Sequence, residues 1–117
     1  MKNNILKDKS YLFAIEIIKI SQQLVSDRKE YVLSKQLLRS GTAIGALIRE
    51  AEFAQSKLDF INKMSIALKE ANETLYWLSL MKDTFYLAKE IHVDLSERCK
   101  ELISLLVASI KTSKSNL

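Results

Sequence analysis

The chain has 117 residues, no proline, two glycines, one cysteine and a net charge of +4. That length holds one domain with a core of its own and needs neither a disulfide nor a structural metal. The scarcity of proline and glycine excludes the many-turned sheet folds, the lone Cys99 excludes an internal disulfide, and apolar runs of only a few residues exclude a membrane span.

The opening stretch MKNNILKDKS mixes lysines with Asp8 and lacks an apolar segment followed by a cleavage site, so it does not read as a secretory signal. With a reduced Cys99, the expected place of action is the cytoplasm. The first helix is predicted over 10–26, with Ser10 as its N-cap and Phe13, Ile17, Ile20 and Leu24 as its core stripe. Tyr11, Ile15, Ile18 and Val25 make a second apolar stripe beside it, leaving a narrow polar strip at Glu16, Lys19, Gln22 and Gln23. One helix of a monomeric bundle has little use for both stripes, so the second is a candidate subunit contact.

Asp27 to Lys29 form a short turn, and the second helix is predicted over 30–53 through Leu33, Leu37, Ile44, Ile48 and Ala51. Gly41 and Gly45, four residues apart on one face, allow another backbone to come close, as tight packing within the bundle, as part of an oligomer interface or for the approach of a ligand. Each glycine weakens the helix by about 1 kcal/mol, which closer packing offsets. Ser56 followed by Asp59 reads as a capping box opening a third helix over 57–88, with Ile61, Met64, Leu68, Ala71, Leu75 and Leu78 facing inward. Trp77 falls one position off that stripe, at the edge of the buried face or at an interface, with its polar edge reaching water or a carboxylate. Asp94 and Glu97 signal a fourth helix over 95–111 through Leu95, Cys99, Leu102, Leu106 and Ile110, with a polar tail after Lys111. Four helices with short connections predict a single all-α domain over 1–117, an antiparallel up-down-up-down bundle.

No residue pattern points to catalysis. Di-metal bundles use Glu-x-x-His motifs on two helices, whereas this chain has one histidine, His92, in a predicted loop with Lys89 three residues before it. Cys99 sits among leucines as a core residue, and the two glycines lie mid-helix with no phosphate-loop lysine. Neither an enzyme nor a cofactor is expected. Glu50, Glu70 and Glu73 are instead expected to pair with Arg39, Arg49 or Lys69 in a polar network at a subunit seam or along an exposed face.

In an up-down-up-down bundle both termini and the second connection share one end. That end would gather Lys2, Lys7, Lys9, Lys57, Lys111 and Lys114 against Asp8 and Asp59, and an oligomer would repeat the patch and strengthen its attraction to phosphates. The expected function is a non-enzymatic homo-oligomer acting as a basic scaffold for RNA, DNA or a nucleic-acid-processing protein. The alternative is a protein-interaction module whose apolar face on the first helix receives another protein's helix.

Between Arg39 and Leu80 the elements RSGTAIGA, Glu50-Ala51, QSK at 55–57, Asp59-Phe60, IALKEA at 66–71 and ETLYWL at 73–78 resemble the four-helix-bundle protein family, the 23S rRNA-intervening-sequence proteins. The family's more usual Asn is replaced here by Leu47. The resemblance implies a homopentameric, barrel-like assembly, and the family is similar to the accessory variability protein of diversity-generating retroelements, a basic bundle that partners a reverse transcriptase.

Overall fold

The computed structural model describes residues 3–117, so Lys2, counted above in the basic end, lies outside the described residues. Four helices follow one another: α1 (Asn3–Arg28), α2 (Leu33–Glu52), α3 (Lys57–Asp83) and α4 (Lys89–Ser115). Neighbours in sequence run antiparallel, as paired residues at their two ends show. Lys7 at the start of α1 meets Glu52 at the end of α2, Arg39 meets Glu70 and Glu73, and Ser79 on α3 meets His92 on α4. The result is a rod 47 Å long and about 20 Å across, close to the length that 27 helical residues span at about 1.5 Å each.

The inward stripes form one core. Phe13, Ile17, Leu37, Ile44, Met64, Ala71, Leu78, Leu95, Cys99, Leu102 and Leu106 are buried, with Ile20, Leu33, Leu68, Leu75 and Trp77 packed against them. Polar bonds supplement it between α2 and α3: Thr74 donates to the Glu70 carbonyl at 2.8 Å, and its hydroxyl lies 3.0 Å from that of Ser40. Both residues are wholly buried, and a Ser–Thr pair spaced 34 apart leaves no mark in a periodicity search.

The helix ends depart from the sequence prediction in ways that local chemistry explains. Ser10 is not the N-cap of α1: the helix begins seven residues earlier at Asn3, and Ser10 is buried mid-helix with its hydroxyl donating to the Lys7 carbonyl. Helix α2 starts at Leu33 rather than Glu30, because Glu30 folds its carboxylate back over the first turn and accepts from the amides of Val32, Leu33 and Ser34 at 3.1, 2.9 and 2.7 Å. The Ser56 cap is present, accepting from the Asp59 amide at 3.0 Å, while Asp59 reaches back to the amide of Gln55 at 3.1 Å.

Helix α3 stops at Asp83, five residues before the predicted end. Thr84 is its C-cap, Phe85 takes φ of +67°, and the amides of Phe85 and Tyr86 reach the carbonyls of Lys82 and Met81 at 3.1 and 2.9 Å, the pairing of a Schellman turn. Glycine usually fills that left-handed position, where another residue costs roughly 1–2 kcal/mol. Helix α4 begins at Lys89, not 95, so Asp94 is no start signal. It lies inside the helix, accepting from Arg98 one turn on at 3.1 Å, and His92 is helical rather than in a loop. Nor does the chain become a tail after Lys111, since α4 continues to Ser115.

Candidate functional site

The outward side of the α1–α2 pair carries the second apolar stripe. Tyr11, Ile18 and Val25 recur every seven residues of α1 and are exposed, Ile15 is half-buried beside them, and Tyr31 and Leu38 continue the surface across to α2. Two hollows lie along this seam. One, of about 370 Å³, is lined mainly by Ile18, Val25, Tyr31 and Leu38; the other, of about 170 Å³, lies between Tyr11, Ala14, Thr42 and Ala46. Ser21 forms part of the first hollow, and its hydroxyl is buried without a hydrogen-bond partner among the described residues. An unmade bond of that kind costs about 1–3 kcal/mol.

The two glycines face α1 and act on it differently. A Cβ on Gly41 would stand 2.9 Å from both γ carbons of buried Ile17, whereas one on Gly45 would stand 3.4 Å or more from Ser10. Gly41 therefore sets how closely the helices approach, and Gly45 lies under the outer hollow.

The polar network forms in part. Arg39 pairs with Glu70 at 3.2 Å and with Glu73, and the Trp77 indole N–H donates to the Glu73 carboxylate at 2.9 Å. The bond from Trp77 holds the Glu73 carboxyl below its ordinary range against the opposing effect of burial, and Arg39 adds to it. Tyr76 stands edge-on to Trp77 with ring centres 5.0 Å apart. Glu50 does not join them: it pairs with Lys63 at 3.1 Å, because its turn of α2 faces the first turns of α3 rather than the middle. Since Arg39 is half exposed, Arg39→Ala is expected to cost less than about 1 kcal/mol in a melting experiment.

At the end holding the C-terminus, the lysines split by partner. Lys7 and Lys9 are matched to Glu52 and Glu101, both at 3.1 Å, and Lys57 donates to the Asn116 carbonyl at 3.3 Å. Lys111 and Lys114 are exposed and form no ion pair among the described residues. Among the described residues the basic excess at this end thus comes from Lys57, Lys111 and Lys114, while Glu52 and Glu101 offset Lys7 and Lys9.

Burial pushes the Cys99 thiol up to about 12, and its sulfur contacts the Ala71 carbonyl at 3.3 Å. His92 lies 3.3 Å from the Ser79 hydroxyl; burial first, and then Lys82 and Lys100, lower its pKa despite Asp83 nearby. Among the described residues, no three His, Cys, Asp or Glu side chains come together as a metal site, and no helix is long and apolar enough to cross a membrane.

Comparison with the curated proteins gives no significant match. Among solved structures the chain is similar to the crystal structure of a protein of unknown function from the S23 ribosomal protein family of Bacteroides thetaiotaomicron. The TM-score is 0.93 and the identity 54%, over 95% of this chain and 99% of that one. The pattern of the 23S rRNA-intervening sequence proteins matches residues 2–108, nearly the whole length, and the chain belongs to that family.

Proposed function

We propose that this protein is a non-enzymatic, cytoplasmic bundle that assembles with copies of itself and serves as a basic scaffold for RNA, DNA or a protein that processes them. The observation that carries self-assembly is the α1–α2 seam, where Ile18, Val25, Tyr31 and Leu38 stand exposed around the buried Ser21 hydroxyl, which has no hydrogen-bond partner among the described residues, and Tyr11 extends the apolar surface along α1. Contiguous apolar surface of this kind marks an interaction site, and a facing subunit would cover the ring edges and give Ser21 a partner. The scaffold role is supported by the net charge of +4 and by Lys111 and Lys114 at the terminal end, exposed and without an ion pair among the described residues, which a ring of subunits would multiply.

The test is the solution mass by light scattering at micromolar concentration. The wild type is expected to be an oligomer, with five subunits the number implied by the family resemblance. Ile18→Glu should reduce it to monomers that keep their helical circular dichroism, since an ionised carboxylate cannot be left unpaired in an apolar seam. A monomeric wild type would sink the proposal. Binding of a labelled structured RNA and a matched DNA duplex, titrated at two salt concentrations, tests the scaffold role through a steep logarithmic salt slope. A stoichiometric protein partner recovered regardless of nuclease treatment would favour a protein-interaction module instead.

A further inference from the structure

The α3–α4 connection presents an aromatic ring where neither folding nor packing calls for one. Phe85 occupies the left-handed position of the Schellman turn, which glycine suits best, and 83% of the residue is exposed. Its backbone is nevertheless clamped. Arg28 at the end of α1 donates to the Phe85 carbonyl at 3.1 Å, and the Arg28 guanidinium lies 4.8 Å from the centre of the Tyr86 ring. The ring is therefore held out from a fixed support.

Around Phe85 opens a depression of about 700 Å³ whose walls include Arg28, Lys82 and Lys89. Asp83 is its one acidic lining residue and stands 3.5 Å from Lys82, so the walls keep a positive excess. Ala88 and Lys89, at the start of α4, border the same depression, and no side chain caps that helix.

We infer that this end of the bundle is a binding site for single-stranded nucleic acid, with Phe85 stacking on one base while Arg28, Lys82 and Lys89 meet the flanking phosphates. A ring alone would suit any apolar partner, and lysines alone any polyanion. The combination of an exposed stacking face with cations on either side fits a strand whose bases are unpaired, because duplex bases already stack on one another. This inference rests on the scaffold reading and moves its contact from the terminal lysines to the opposite end of the rod.

The experiment titrates the full-length protein into fluorescently labelled oligo-U and oligo-dT of about 12 nucleotides, within the usual site size for such binding, and into a duplex of equal length. Wild type should bind the single strands more tightly than the duplex, and the ratio of oligo-U to oligo-dT affinity distinguishes RNA from DNA as the ligand. Phe85→Gly should weaken single-strand binding about tenfold to a hundredfold, the size of one lost stack, and leave the duplex unchanged. The same variant should melt at or slightly above the wild-type temperature, because glycine relieves the left-handed backbone. Lys82→Gln with Lys89→Gln should weaken binding and flatten the salt dependence by about two charges. Binding that ignores Phe85 and these lysines but falls when Lys57, Lys111 and Lys114 are replaced would overturn this site and leave the scaffold standing. No nucleic-acid binding by wild type overturns both. A Phe85→Gly protein of altered oligomer mass would make the ring a subunit contact and overturn the site.

Discussion

Glu30→Ala is expected to destabilise the protein by roughly 2–4 kcal/mol, lowering Tm by about 10 °C or more. No side chain of the N-cap residue Val32 satisfies the first turn of α2; the Glu30 carboxylate does so, taking the amides of Val32, Leu33 and Ser34 together. The residue is buried, and Ser34 returns a bond from its hydroxyl to the Glu30 carbonyl at 2.7 Å. Truncation removes the acceptor from three donors at once, two of them in part-buried bonds and that of Ser34 in a buried one, which costs more than removal of an ordinary cap at about 1 kcal/mol.

Acid should reveal the same group. Burial pushes the Glu30 carboxyl up, but the amides of Leu33, Ser34 and Val32 together outweigh it and hold the pKa below the ordinary carboxylate value. A depressed folded value means that the ionised form favours folding. Its contribution is complete above the unfolded pKa near 4.5 and is lost as pH falls through the lower folded value. Glu30→Gln keeps one acceptor oxygen and has no charge to lose, so it should be milder than alanine at neutral pH. Its stability should also fall less steeply than wild type below pH about 4.5. Urea midpoints measured across acid pH decide the matter, and parallel curves for wild type and Glu30→Gln would show that the charge does not act as the cap.

The two glycines of α2 should respond to alanine with opposite signs. At Gly41 the new methyl would press on Ile17, whose γ carbons branch directly from a buried Cβ and cannot swing away. Overpacking of about 1–3 kcal/mol exceeds the roughly 1 kcal/mol of helix propensity gained, so Gly41→Ala is expected to destabilise by about 1–2 kcal/mol. Gly41→Leu should exceed about 4 kcal/mol and force α1 away from α2. A methyl at Gly45 would meet its nearest neighbour, Ser10, at ordinary contact distance, so Gly45→Ala should be neutral or stabilising by up to about 1 kcal/mol. Thermal melts of the two alanine variants read this directly, and equal losses at both positions would remove the special role assigned to Gly41.

Helix number, order and inward faces were legible because they depend on periodicity over whole helices. Leu95, Cys99, Leu102, Leu106 and Ile110 announce a buried face whatever their partners. Helix ends were legible only where a short-range cap operates, as at Ser56 and Asp59. Ser10 and Asp94 carry the same kind of signal, yet both lie inside helices, because a hydroxyl or carboxylate can equally bond within its own helix. The Schellman turn at Phe85 was hidden because the left-handed position it needs is usually marked by glycine and here is filled by phenylalanine.

The candidate surfaces divide in the same way. Composition and spacing alone determined an all-α chain with one surplus apolar stripe, a lone reduced thiol in the core and a modest positive charge, since each is a sum over residue types or a helical period. Tertiary structure decided which charges meet. It joined Arg39 to Glu70 and Glu73 but sent Glu50 to Lys63, offset Lys7 and Lys9 with Glu52 and Glu101, and brought Arg28, Lys82 and Lys89 around Phe85 at the far end. Ion pairs and surface clusters depend on which turns of different helices stand level with one another. That register follows from loop lengths and from a few close contacts such as Gly41 on Ile17, which no periodicity within a single helix encodes.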